Sequence, residues 1–155
     1  MNSIINESLI DLTLSAGDKK AAITQLAKQI QQDERLNDFD AYVEEVFRRE
    51  DLSTTGIGFG VGIPHGKTDA VKIPTVAFGR SVEGIEWDSL DEKPVHMVFL
   101  IAVPEAAASN AHLKILAALS RRLMKEDFRQ ELMQSKDEAS LLSQLNEIFE
   151  LALQN

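Results

Sequence analysis

Residues 55–67 carry the clearest chemical signal in the sequence, a run in which glycine alternates with other residues until it reaches Pro64-His65. If Gly56–Ile63 forms one extended strand, its four glycines share one face, because side chains alternate along a strand. A strand face without side chains lets a partner backbone or a ligand approach closely. Pro64 fixes its own φ and favours an extended residue before it, so we expect the strand to end at His65 with the ring in a turn. His65 is therefore a candidate reactive residue.

The spacing of residues around His65 argues against several common chemistries. A nucleotide-binding P-loop needs four residues between its first glycine and Gly-Lys-Thr, and Val61 occupies that first position. The three histidines, His65, His96 and His112, lack the close spacing of zinc ligands, and the Gly-x-Ser-x-Gly motif of serine hydrolases is absent. We interpret His96 as a hydrogen-bonded histidine at the start of a buried strand. A nucleophilic histidine, with no metal and no organic cofactor, is the interpretation that remains.

A histidine that attacks phosphorus needs a fixed tautomer and positive charge around the phosphoryl oxygens. Arg49 stands at the end of a predicted helix just before the glycine run, and its guanidinium suits bidentate phosphate contact. His112 falls in the first turn of a helix that Ser109 can cap, where the positive helix end favours an anion. The residues alone also allow interpretations without a functional role: a turn histidine at 65, a surface arginine at 49 and a polar first-turn residue at 112.

Composition limits the class of protein. The chain has 155 residues, which favours a single domain over residues 1–155, and 44% hydrophobic residues, which is enough for a core. A net charge of −9 argues against nucleic acid as the main partner. The absence of cysteine excludes disulfides and cysteine nucleophiles in this sequence. The longest apolar stretch, Val95–Pro104, is about half of the roughly 20 residues that a membrane span needs, so we expect a cytoplasmic protein.

The elements that must position these residues follow from periodicity and caps. Helices before and after a central block of strands predict the α/β class, with helices layered on a sheet. The predicted helices cover Asp18–Gln32, a segment capped by Asp38, Ser109 to about Met124, Asp127–Gln134, and a segment with a capping box at Ser135 and Glu138. The predicted strands are Gly56–Ile63, Thr75–Arg80, Glu83–Trp87, Val95–Val103 and a short one within Leu9–Leu14.

The segment Arg49–Lys67 resembles the active-site region of type-2 enzyme IIA domains of the bacterial sugar phosphotransferase system, the fructose–mannitol family. The pattern of that family is an acidic or amide residue, here Glu50, then six residues of any type, and then a block that residues 57–66 match. Gly62 stands where the family usually has alanine. The resemblance continues through Val95–Pro104 and His112-Leu113, so it covers almost the whole chain.

The resemblance implies a mixed central β-sheet flanked by helices on both sides. It also implies that the histidine phosphocarrier protein phosphorylates His65, at Nε2, and that the group then passes to an enzyme IIB. Arg49 would stabilise the phosphoryl group and His112 would lie beside His65. The IIB acceptor of this family is a cysteine and this sequence has none, so enzyme IIB would be a separate polypeptide or a part not included here. The membrane enzyme IIC would be separate too. Weak docking would use an apolar rim, for which Phe59, Ile63 and Phe78 are candidates.

Two other functions share the same residues. The nitrogen-related branch of the family uses a similar phosphohistidine but acts by regulatory binding to other proteins, and the motif around His65 does not separate it from the sugar branch. A non-catalytic binding domain that keeps the fold is the third interpretation. We favour the sugar branch, and the identity of the sugar is not encoded in the motif.

Overall fold

The computed structural model describes residues 4–105 and 111–153, and within them five α-helices and six strands are formed. The helices are α1 (Lys19–Gln32), α2 (Phe39–Leu52), α3 (Ala111–Leu123), α4 (Glu126–Gln134) and α5 (Glu138–Leu153). The strands are β1 (Ile10–Asp11), β2 (Gly56–Gly58), β3 (Val61–Gly62), β4 (His65–Lys67), β5 (Thr75–Ile85) and β6 (Val95–Val103). In these described ranges no helix is long and apolar enough to cross a membrane.

Side-chain caps start the helices largely where the sequence predicted them. The Asp18 carboxylate accepts the Ala21 N–H at 2.8 Å, and α1 begins at the next residue. Asp38 caps α2 in the same way. The predicted capping box at Ser135 is wrong, because Asp137 accepts the Ser140 N–H at 2.7 Å. A carboxylate one residue before the helix is the better placed acceptor. The predicted cap Ser109 lies outside the described residues.

The six strands form one mixed sheet. Its order is β1-β5-β6-β3-β2, and β4 continues beside β6 where β3 stops. The β5–β6 and β2–β3 pairs are antiparallel, whereas β1 runs parallel to β5 and both β3 and β4 run parallel to β6. The sequence predicted two strands, Thr75–Arg80 and Glu83–Trp87, but the structure has the single strand β5 there. The pairing of β5 with β6 shifts register between Arg80 and Ile85.

The glycine run is a hairpin, so its prediction as one long strand is wrong. β2 and β3 pair antiparallel around a tip at which Gly58, Phe59 and Gly60 all have positive φ, at 99°, 61° and 76°. Glycine adopts that conformation without steric cost, and the two glycines therefore let the chain reverse. Phe59 projects from the tip with 62% of its surface exposed.

Helices cover both faces of the sheet, and two neighbouring residues of β5 demonstrate this. A Cβ on Gly79 would lie 3.1 Å from Leu26 of α1. The next side chain, that of Arg80, donates to the Leu132 carbonyl of α4 at 2.9 Å. Because consecutive side chains of a strand point to opposite faces, α1 and α4 lie on opposite sides. The predicted α/β fold, a mixed central sheet with helices on both sides, is confirmed.

Candidate active site

His65 begins a strand segment that continues the line of β3. Gly62 lies opposite Val98 and His65 lies opposite Ile101, so β3 and β4 keep one register along β6. Pro64 interrupts them because it has no N–H to donate, but its carbonyl accepts the Ile101 N–H at 3.0 Å. The expectation that the strand ends at His65 is wrong: a strand segment begins there, and the break before it lets the ring turn back on its own backbone.

The backbone fixes the tautomer of the half-buried His65 ring. Its Nδ1 lies 2.9 Å from the carbonyl oxygen of Ile63. A carbonyl oxygen can only accept a hydrogen bond, so Nδ1 carries the proton. In the neutral ring the lone pair is then on Nε2. This is the arrangement that a nucleophilic histidine requires.

The surroundings of the ring favour its neutral form. Burial is the largest influence and lowers the pKa of His65 below its usual value. The Ile63 carbonyl raises this pKa, the positive charge of Arg49 lowers it, and the negative charge of Glu50 raises it. Because the net direction is downward, the Nε2 lone pair is available at neutral pH.

Arg49 lies in the last turn of α2 and close enough to His65 to lower its pKa. Its Nη1 donates to the Ser53 carbonyl at 2.8 Å, just past the end of that helix. This bond occupies one of the five N–H donors of a guanidinium and anchors the half-buried side chain. The structure therefore brings two of the three predicted site residues together.

Helix α2 supports the strand that carries His65. A Cβ on Gly66 would lie 3.0 Å from Cγ2 of Val46 and 3.1 Å from Cε1 of Tyr42, so the helix packs directly on the β4 backbone. The Tyr42 hydroxyl donates to the Ile101 carbonyl at 2.9 Å, opposite His65 in the ladder. Burial raises the pKa of Tyr42 well above its usual value, so the hydroxyl keeps its proton.

Glu50 is the site residue whose part the sequence analysis missed, since it entered only as the start of a pattern. Its carboxylate is buried, with Lys19 Nζ 3.0 Å from Oε2. The Thr55 N–H donates to Oε2 at 3.2 Å, and the Thr55 hydroxyl donates to Oε1. One signal was available: Glu50 follows Val46 by four residues on the apolar stripe of α2, which predicts a buried carboxylate.

The remaining sequence predictions have different outcomes. His112 belongs to the first described turn of α3, but its side chain lies outside the described residues. His96 is a hydrogen-bonded strand histidine, as interpreted, because its Nδ1 lies 2.9 Å from the Ser81 carbonyl. The predicted docking rim is wrong for Phe78, which is fully buried, and for Ile63, which is 3% exposed. Both lie in or beside strands that helices cover, whereas Phe59 is exposed at the hairpin tip.

Fold and site together define an α/β protein that presents a neutral histidine beside an arginine. The sequence profile described as "Phosphoenolpyruvate-dependent sugar phosphotransferase system, EIIA 2" matches residues 3–148. The chain belongs to this family of phosphotransferase components, and the resemblance seen in the sequence is confirmed.

Similar proteins come from both branches of the family. The fructose-specific EIIA component of Haloferax volcanii is 44% identical over 150 residues, which cover 97% of each chain. A nitrogen regulatory protein of Bradyrhizobium diazoefficiens is 36% identical over 132 residues, 85% of each chain. The crystal structure of the nitrogen regulatory protein IIA-Ntr of Neisseria meningitidis superposes with a TM-score of 0.82 at 32% identity, covering 94% of this chain and 96% of that one.

The fold also matches a structure determined as a complex. The mannitol enzyme IIA of Escherichia coli, solved with phosphorylated enzyme IIB, superposes with a TM-score of 0.79 over 92% of this chain and 97% of that chain. Its identity is 22%, so this likeness concerns the fold.

Proposed function

We propose that this protein accepts a phosphoryl group on Nε2 of His65 from the histidine phosphocarrier protein and passes it to a separate enzyme IIB. The observation that supports this most directly is the 2.9 Å contact between His65 Nδ1 and the Ile63 carbonyl, which leaves the lone pair on Nε2. The lowered pKa of His65 keeps that lone pair available at neutral pH.

The transfer balances without an added acid or base. The Nε2 lone pair forms the new N–P bond while the N–P bond of the donor phosphohistidine breaks, and its electron pair returns to the donor imidazole. The proton stays on Nδ1 throughout and keeps its hydrogen bond to the Ile63 carbonyl. In the second transfer a thiolate of enzyme IIB, the acceptor that the family resemblance implies, attacks phosphorus and the electron pair returns to Nε2.

Arg49 and His112 are the proposed supports of the phosphoryl group. Arg49 is anchored at Ser53 and lies near the ring, so its remaining donors can meet phosphoryl oxygens that carry developing negative charge. His112 is proposed on its position at the start of α3 and on the family resemblance.

We propose the sugar branch over the regulatory branch, with fructose as the sugar. The fructose-specific relative is 44% identical over 97% of the chain, against 36% over 85% for the nitrogen regulatory relative. Phosphoenolpyruvate, the source of the phosphoryl group, is a cytoplasmic metabolite, and the relay therefore operates in the cytoplasm beside a membrane enzyme IIC.

The acceptor is tested with phosphoenolpyruvate, enzyme I and the phosphocarrier protein, comparing the parent with His65→Ala by intact mass. We expect an acid-labile gain of one phosphoryl group on the parent and none on the variant. His96→Ala is the matched control and should be phosphorylated like the parent. Equal uptake by His65→Ala would disprove the assignment.

The branch is tested by adding a fructose-type enzyme IIB to the phosphorylated protein. We expect the phosphoryl group to move to the IIB cysteine within the time of a catalytic assay. Retention of the group on this chain, with transfer from a known fructose IIA working in the same conditions, would favour the regulatory branch.

A further inference from the structure

Glu50 is a buried carboxylate that three hydrogen-bond donors approach. It is 7% exposed. Lys19 Nζ and the Thr55 N–H both contact Oε2, at 3.0 and 3.2 Å, and the Thr55 hydroxyl donates to Oε1. Both carboxylate oxygens are therefore engaged, and Thr55 is held through its backbone and its side chain at once.

Two backbone hydrogen bonds connect Thr55 to the reactive ring. The Thr55 carbonyl accepts the Ile63 N–H at 3.0 Å. The Ile63 carbonyl in turn accepts the Nδ1–H of His65 at 2.9 Å. A displacement of Thr55 thus moves the Ile63 N–H and, through the Cα of the same residue, the carbonyl that holds the ring.

We propose that Glu50, together with Lys19 and Thr55, is a positioning residue that fixes the Nδ1–H tautomer and the orientation of His65. We call these three residues the Glu50 clamp. Its effect on phosphoryl transfer rests on the function proposed above, whereas its effect on the tautomer is a property of the unphosphorylated protein.

The chemistry of the contacts requires a carboxylate at position 50. Its three partners are an ammonium, a backbone N–H and a hydroxyl that donates, and a carboxylate is an acceptor at both oxygens. Glutamine would direct an NH₂ group at one of those donors. The change from Glu50 to Gln therefore keeps the shape of the side chain but disrupts the clamp.

Stability alone does not account for a buried ion pair here. The desolvation of two charges offsets much of their attraction. Well-packed apolar residues in place of a buried ion pair often make a protein equally stable. Lys19 and Glu50 are 31 residues apart in the sequence, and their ion pair connects α1 to the last turn of α2, just before the hairpin begins. Positioning of Thr55, and through it of Ile63, is the consequence that apolar residues could not reproduce.

The test combines nitrogen NMR of the His65 imidazole with the rate of phosphoryl uptake from the phosphocarrier protein. The clamp variants are Glu50→Gln, Thr55→Val and Lys19→Met, and Thr55→Ser is the conservative variant that keeps the hydroxyl. Glu45→Gln and Thr54→Val are matched controls, since Glu45 pairs with Arg48 on the surface of α2 and Thr54 contacts Trp87 and Gly56.

We expect Glu50→Gln and Thr55→Val to lower the ratio of the Nδ1–H to the Nε2–H tautomer of His65. The uptake rate should fall by about ten- to hundredfold, the range for losing hydrogen bonds to a charged group. Thr55→Ser keeps the hydroxyl, so its tautomer ratio and uptake rate should be close to those of the parent. Both control variants should match the parent in the same two measurements. Lys19→Met changes a partly exposed side chain, so this variant should fold even if Glu50→Gln does not. It should lower the same tautomer ratio.

An unchanged tautomer ratio in folded Glu50→Gln and Lys19→Met overturns the proposal, even if uptake slows. A slower uptake accompanied only by a lower melting temperature would mark a structural ion pair and also overturn it. If the parent itself takes no phosphoryl group, the proposed function fails, while the NMR measurement still decides the clamp.

Discussion

Arg49 lies close to His65, and in the proposed function its charge favours the reaction both before and after phosphoryl transfer. Before transfer, its positive charge helps to lower the pKa of His65 and so keeps the Nε2 lone pair free of a proton. In the function proposed above, the same charge attracts the dianionic phosphoryl group on Nε2 after transfer. The anchoring bond from Arg49 to the Ser53 carbonyl lets both effects arise from one side-chain position.

The lowered pKa of His65 predicts how stability depends on pH. The folded protein resists protonation of this ring, whereas the unfolded chain protonates it near its ordinary pKa of about 6.5. The stabilising contribution is therefore present above about pH 6.5 and is lost as pH falls through the lower folded pKa. Urea unfolding between pH 5 and 8 measures it.

We expect the parent to lose more unfolding free energy between pH 7.5 and 5 than His65→Asn does. The rate of phosphoryl uptake by the parent should decline in the same window, because protonation removes the Nε2 lone pair. Identical pH dependence of stability in parent and variant would contradict the lowered pKa.

Residue types and spacing made His65 and Arg49 candidates, since the glycine run, the proline and the helix end are all local features, but only the family resemblance favoured them over a turn histidine and a surface arginine. The part played by Glu50 was not predictable in the same way. Its partner Lys19 is 31 residues away, and the sequence does not show which lysine a buried carboxylate will meet. The packing of α1 against α2 brings Lys19, rather than another lysine, next to Glu50.

Among the elements, local signals predicted helices well and the hairpin poorly. Asp18 and Asp38 cap helices with their own side chains, a contact that spans three residues. The alternation of glycine and apolar residues in Gly56–Ile63 fits one long strand as well as a hairpin. The chain forms a hairpin because β3 pairs with β6, and the local sequence pattern does not indicate that pairing.

Gly62 departs from the alanine usual in the family, and the structure supplies a reason. A Cβ at this position would lie 3.0 Å from Cε2 and 3.2 Å from Nε1 of Trp87. Trp87 is fully buried, so its ring cannot move into solvent. In this chain the indole takes the space that an alanine methyl group would occupy.

Gly62→Ala should therefore destabilise the protein by about 1–3 kcal/mol, the usual range for overpacking a core. Gly17→Ala is the control, since a Cβ there has nothing within 4 Å. Combining Gly62→Ala with Trp87→Leu should cost less than the sum of the two single changes, because the smaller side chain makes room. Urea unfolding measures all four variants, and additive costs would rule out this contact as the cause.

At the scale of the whole molecule, the sheet order is the feature that the sequence could not supply. β1 pairs parallel with β5 although Ile10 and Phe78 lie far apart in the chain, and β6 receives β5 on one side and both β3 and β4 on the other. The apolar run Val95–Val103 indicated a central strand covered on both faces. Which strands would flank it depends on long-range packing.

Arg80 connects the sheet to the helices on the side away from α1. Its Nη1 donates to the carbonyls of Leu132 and Ser135, at 2.9 and 2.7 Å, and its Nε donates to Leu12 at 3.4 Å. The first two carbonyls lie at the end of α4, where a helix leaves acceptors without intrahelical partners. A single guanidinium thus satisfies the helix end and a loop after β1.

Arg80→Met should lower the unfolding free energy by about 1.5–3 kcal/mol, because these half-buried carbonyls lose a charged donor. Arg80→Lys should recover part of this loss, since an ammonium cannot reproduce the planar fork. Arg48→Met, which breaks the exposed pair with Glu45, should leave the unfolding free energy nearly unchanged. Urea unfolding provides all three values.

The phosphoryl uptake of folded Arg80→Met should equal that of the parent, because its contacts involve carbonyls other than those that hold His65. The ring depends on Ile63, Thr55 and Glu50, whereas Arg80 holds the end of α4. Hydrogen exchange should accordingly become faster in α4 and α5 and stay unchanged at the Ile63 amide. Faster exchange at Ile63 together with slower uptake would mean that the two faces of the sheet are coupled, and that the site depends on the whole molecule rather than on α1, α2 and the hairpin.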